Sequence, residues 1–340
     1  MTNTIIYFFD ENILSKKLQA KRMNKILKPI GFQYIKEYLS YDDNLKFDVF
    51  KNIKDPKVRF DLKIFECTLK NNFDKEDLKN FEFNIKWLNL KFKRIYFSNI
   101  FCISKTLGNY DQQRNKLYLE KDYDISSFFH ELFHLASTNF KKSKLGTGFS
   151  YYIGNKSIGR ALNEGYTEYL TQKYFKVENG ETIYCAERKI AECIEKIVGV
   201  NDMKSLYLNS DLLGLFKALN KYYTNEELEQ FLISTDAILF YTETGNMSLY
   251  EYNKISELYN KNIYFLLKGY CQVLSKSEDK SNMKNNIIDF INTLTSSAEY
   301  ETINVDFDIN IINYIINEYL GIKDLINEDE IKRTTSFYRI

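Results

Sequence analysis

Two prolines and 13 glycines among 340 residues leave this chain with very few helix breakers. Proline removes a backbone donor and clashes with the preceding turn, and glycine loses the most conformational entropy on entering a regular element. A chain this poor in both is expected to build long helices and extended strands rather than a turn-rich all-β architecture. Its 44% hydrophobic content is enough for a sizeable core. Its length sets a prior of about two domains.

Charge narrows the partner classes. Lysine and arginine total 47, aspartate and glutamate 46, so the net charge is +1. No overall field selects nucleic acid, a membrane surface or a polyanionic substrate, and partners must be argued from local features. Five cysteines at positions 67, 102, 185, 193 and 271 show no CxxC spacing. Scattered thiols in a chain of this size read as reduced, buried side chains of an intracellular protein, not as a disulfide framework. The apolar run Ile5-Ile6-Tyr7-Phe8-Phe9 ends at Asp10-Glu11. It falls short of the roughly 7–15 apolar residues of a secretory signal, and no stretch approaches the ~18 of a membrane span. The expected location is cytoplasmic.

Periodicity gives a coarse plan. Residues 4–9 read as a short strand and 10–28 as a helix with a basic, solvated face, stopped by Pro29 and Gly31. Val58, Phe60, Leu62 and Ile64 alternate with polar residues, as do Phe81, Phe83, Ile85 and Trp87, and then Leu88, Leu90 and Phe92 in the other phase. That period of two predicts half-buried strands. Gly108-Asn109-Tyr110-Asp111 reads as a turn, 115–120 as a short strand, and 124–139 as a helix capped by Asp124. A Gly- and Ser-rich loop is expected over 143–157, then a helix over 158–175. Beyond residue 185 the apolar spacing is mostly helical, ending in Asn310–Leu320 with Gly321 as its cap.

The chain contains two histidines, His130 and His134, both in the segment FFHELFHLA. Residues four apart share a helix face with Cβ atoms about 5–6 Å apart, so two imidazoles can converge on one ion. Phe128, Phe129, Leu132, Phe133, Leu135 and Ala136 make the helix apolar on most sides and send it through the interior. Buried imidazoles need hydrogen-bond partners or a metal. The competing reading is a pair of hydrogen-bonded core histidines. A catalytic zinc wants three protein ligands, and with neither a further histidine nor paired cysteines the third must be a carboxylate. Glu164 and Glu168, four apart on the next helix, are available; their bland reading is a solvated acidic face.

His130-Glu131-Leu132-Phe133-His134 followed by Asn163-Glu164-Gly165-Tyr166-Thr167-Glu168 resembles the gluzincin metallopeptidases, the thermolysin-like group. In style it is closest to compact cytoplasmic relatives such as the ImmA/IrrE-like regulatory peptidases. The resemblance covers about residues 110–175. It implies one Zn2+ per chain held by His130, His134 and Glu164, with Glu168 orienting His130 from behind. It also implies a hydrolase, in which Glu131 is the general base for a metal-activated water attacking a peptide bond. The partner is then a peptide or protein substrate; the sequence leaves the oligomeric state open.

The implied architecture is α+β: an N-terminal sheet-containing region at 1–105, a zincin-like catalytic core at 106–200, and a helical C-terminal region at 201–340. One departure matters. Thermolysin-like enzymes stabilise the oxyanion with a further histidine, which this chain lacks. Tyr151, Tyr152, Tyr166 and Arg160 are the residues considered for that work. Two other readings stand beside the general peptidase. One is a narrow regulatory peptidase acting on one partner, favoured by the missing export signal. The other is a zinc-stabilised, catalytically inactive interaction module, favoured by the missing histidine and opposed by Glu131.

Overall fold

The computed structural model describes residues 53–331 apart from 54, 87, 93–94, 99–102, 107, 121–122, 140–145, 154–155, 176–183, 245–247, 279–280, 297–302, 304 and 306. The strand at 4–9, the basic helix at 10–28 and Trp87 of the sequence reading lie outside these residues.

The first described element corrects a sequence expectation. Asp55 accepts from the backbone N–H groups of Lys57 and Val58 at 2.9 and 3.1 Å, and Pro56 occupies the first turn of α1 (Pro56–Asn72). Cap and proline together start a helix where alternation suggested a strand. Val58, Leu62, Phe65 and Leu69 form its buried stripe, whereas Phe60 is 65% exposed. The same correction applies to α2 (Lys79–Lys86), whose Phe81, Phe83 and Ile85 are all buried. The helix is covered on more than one side, which mimics alternation. Asn84 donates to the Leu135 and Thr138 carbonyls at 2.8 and 2.7 Å, tying α2 to the end of the helix that carries the histidines.

Strand β1 (Asn89–Phe92) runs parallel to β5 (Lys116–Leu119), and β4 (Gly108–Asp111) pairs antiparallel with β5 at the sheet edge. β2 (Ile95–Ser98) and β3 (Ile103–Thr106) form a separate antiparallel pair. The expected turn at 108–111 is therefore a strand. Its reversal comes later, where Asn115 adopts φ 47°. A second sheet is the antiparallel meander β6 (Thr138–Asn139), β7 (Gly146–Thr147), β8 (Ser150–Ile153) and β9 (Lys156–Ile158), where sequence suggested a loop. Small residues there serve tight hairpins: Gly148 has φ 51°, and a Cβ on it would collide with Asn163 Oδ1.

Two helices flank this meander: α3 (Ile125–Ala136) before it and α4 (Arg160–Phe175) after it. Next come α5 (Cys185–Val198), α6 (Val200–Leu208), α7 (Leu212–Leu219), α8 (Asn225–Thr244), α9 (Leu249–Ser275), α10 (Met283–Thr295) and α11 (Ile309–Leu320). Gly321 closes α11 at φ 70°, as expected. One hydrophobic cluster runs from Ile53 to Ile331 and joins the sheet region to these helices. The described architecture is α+β and mostly helical. None of its helices is long and apolar enough to cross a membrane. Cys185, Cys193 and Cys271 are buried thiols, and Cys67 is exposed.

α4 and α5 pack closely. A Cβ on Gly165 would collide with the Glu187 carbonyl oxygen, so glycine is what lets the backbones approach. This contact sits one residue from Glu164.

Candidate metal centre

Asp124 starts α3 by accepting from Ser127 N at 3.0 Å, as the sequence predicted. Phe128, Phe129, Leu132, Phe133, Leu135 and Ala136 are buried, so the two histidines sit in an otherwise apolar stretch of the helix. His130 and His134 are each 8% exposed, and their rings meet edge-on with centroids 4.8 Å apart.

Three atoms converge. His130 Nε2 and His134 Nε2 lie 3.1 Å apart, and Glu164 Oε2 lies 3.2 Å from the first and 3.1 Å from the second. Donor atoms with this spacing can each reach a shared ion at the ~2.0–2.1 Å typical of zinc with nitrogen or carboxylate oxygen. Buried His130 and His134 with half-buried Glu164 therefore form a group able to hold a metal ion.

The atoms behind the ligands fit the same purpose. Glu168 Oε2 lies 3.0 Å from His130 Nδ1, and Gln172 donates to the other Glu168 oxygen at 2.9 Å. Behind His134, Nδ1 lies 3.2 Å from the Asn163 amide and 3.4 Å from Thr167 Oγ1. A ligating Nε2 leaves the ring proton on Nδ1, which then needs an acceptor. Asn163 Oδ1 is buried without a hydrogen bond, and a half-turn of the amide offers that oxygen to His134. Asn163, Glu164, Thr167 and Glu168 thus all face the two imidazoles from α4.

Glu131 stands beside this group without joining it. Its Oε2 accepts from Tyr110 N in β4 at 2.8 Å, and a Cβ on Gly108 would press on Glu131 Cγ at 3.0 Å. The edge strand therefore fixes the carboxylate's place.

Electrostatics favours a cation at the centre. Burial opposes charging His130, yet hydrogen bonds and charge from Glu164 and Glu168 outweigh it and lift its pKa to about 10. Burial likewise opposes ionising Glu164, but His134 and His130 hold its carboxyl well below the usual range. Glu168 is lowered in the same way, against burial, chiefly by His130. Glu131 is the exception: burial raises its pKa despite the charges of His134 and His130. A half-buried carboxyl raised in this way is suited to taking up a proton.

Three of the four residues considered for the oxyanion are engaged elsewhere. Tyr151 donates to the Ser210 carbonyl, Tyr166 donates to Glu195 Oε2 at 2.6 Å, and Arg160 forks onto Glu243 at 2.8 and 2.6 Å. The side chain of Tyr152 lies outside the described residues. Sequence reasoning missed Tyr184, at the head of α5, whose ring stacks on His130 at 5.6 Å between centroids with 22° between planes. It also missed the contact from Tyr110. Neither carries a motif, since both depend on tertiary placement.

Comparison with protein-family models, with curated proteins and with solved structures gave no match, so the chain's own residues carry the functional reading.

Proposed function

We propose that this chain is a zinc-dependent peptidase with a zincin-like core, in which His130, His134 and Glu164 hold the metal and Glu131 is the general base. The observation that carries the reading is the convergence of two Nε2 atoms and one carboxylate oxygen at 3.1–3.2 Å, with the half-buried carboxyl of Glu131 beside them. It matches the ligand set of the gluzincin pattern.

Bound zinc would supply Lewis acidity, polarising a carbonyl and bringing the pKa of its water toward ~7. Glu131 takes a proton from the attacking water as the water oxygen bonds to the peptide carbonyl carbon. It then delivers the proton to the leaving nitrogen. Glu168 and Asn163 hold the imidazoles in the tautomer that directs Nε2 inward.

The test has two arms. Metal analysis of purified protein should find about one zinc per chain, lost in His130→Ala and Glu164→Ala. Absence of bound divalent metal under saturating zinc would sink the proposal. Glu131→Gln should keep zinc and fold but lose cleavage of a sensitive peptide library. If the zinc-loaded wild type cleaves nothing and Glu131→Gln behaves identically in cells, the interaction-module reading replaces it.

A further inference from the structure

Peptide hydrolysis places negative charge on the carbonyl oxygen as water attacks, and a donor aimed at that oxygen is worth about 10²–10³ in rate. This chain has no third histidine to supply it. The hydroxyls around α3 and α4 are largely committed: Tyr110 to Asn115, Tyr123 to Asp61, Tyr166 to Glu195 and Tyr207 to Thr167.

Tyr184 differs from these. Its ring lies against the ring of His130, and it is half-buried. Its hydroxyl makes no hydrogen bond among the described residues. Burial raises its pKa well above the ordinary value, and the charges that act on it are, in order, those of Glu164, Glu243, Arg160 and Glu131, the third ligand and the base among them. A phenol stacked on a candidate ligand, its hydroxyl uncommitted among the described residues, leaves a donor at the edge of the centre.

Resting on the peptidase reading above, we propose that Tyr184 is a catalytic residue that donates its phenolic hydrogen bond to the substrate carbonyl oxygen. In the step it serves, the water oxygen bonds to the carbonyl carbon and the C=O π pair moves onto oxygen. Tyr184 holds that oxygen while Glu131 carries the water's proton. When the C–N bond breaks, the pair returns to re-form C=O and the amine leaves with the proton from Glu131. Tyr184 donates a hydrogen bond throughout and transfers no proton.

Tyr184→Phe keeps the ring on His130 and removes only the donor. Zinc content and Tm should match wild type. On a peptide cleaved by wild type, kcat should fall about 10²–10³-fold with KM little changed. Independently of turnover, calorimetry with a panel of N-phosphoryl dipeptides, which mimic the tetrahedral carbon, should show at least roughly tenfold weaker binding. Wild-type kcat and wild-type phosphoryl affinity in Tyr184→Phe would overturn the assignment and leave the peptidase reading standing. Loss of zinc or of folding would make Tyr184 a structural prop and overturn it too. A zinc-loaded wild type that neither cleaves the library nor binds any phosphoryl dipeptide would overturn the peptidase reading, and this assignment with it.

Discussion

Glu168 Oε2 lies 3.0 Å from His130 Nδ1, on the side of the ring away from Glu164. A carboxylate there fixes the tautomer and raises the basicity of the inward nitrogen. Glu168→Gln keeps the shape and removes the charge. Zinc affinity should fall about 10–100-fold, read by competition with a chromophoric chelator, while the zinc-loaded fold persists. Unchanged affinity would mean that Glu168 is only a packing residue.

In the chelated protein the centre holds a proton in place of a cation. His130 is lifted to about 10, so at pH 7 zinc must displace that proton. Calorimetry in buffers of different ionisation enthalpy should show about one proton released per zinc at pH 7, and affinity should tighten about tenfold per pH unit toward 9. The stability sign follows from the same shift. A pKa raised above the ordinary 6.5 stabilises the chelated protein below that value, and the gain is lost as pH rises through about 10. Tm in chelator should therefore fall between pH 7 and 10. No proton release would contradict this account.

The residues of the candidate metal centre are legible in the sequence because their signal is local. Helix periodicity places His130 with His134, and Glu164 with Glu168, and the scarcity of histidine removes rival ligands. Helices Pro56–Asn72 and Lys79–Lys86 stand where alternation suggested strands because the Asp55-Pro56 start signal outweighs alternation, and because α2 is buried on more than one side. The meander at 146–158 is hidden because its strands are two to four residues long, too short for a periodic signal. Tyr184 and the Tyr110 backbone reach the site through folding, across 54 and 21 residues from His130 and Glu131 respectively.

Gly165 couples packing to the centre. An alanine Cβ there would collide with the Glu187 carbonyl oxygen, and backbone cannot step aside as a flexible side chain can. Gly165→Ala should cost about 1–3 kcal/mol by overpacking and weaken zinc binding through the adjoining Glu164. Urea denaturation and zinc competition measure both effects. A wild-type midpoint would show that α4 and α5 separate at little cost.

Glu187 gives the last prediction. It is 2% exposed on α5, with Thr242 Oγ1 donating to it at 3.4 Å. Burial raises its pKa to about 7, with Glu243 and Glu164 adding to the rise. The unfolded chain ionises this group near 4.5, so between 4.5 and 7 the folded chain binds more protons. Stability therefore falls as pH rises through that window, and the cost is complete above 7. At 1.36 kcal/mol per unit the ceiling is about 3 kcal/mol. Glu187→Gln removes the ionisation and keeps the shape. In the chelated protein it should raise Tm at pH 8 and leave it near wild type at pH 4.5. An equal change at both pH values would show that the carboxyl's charge is not what Glu187 costs the fold.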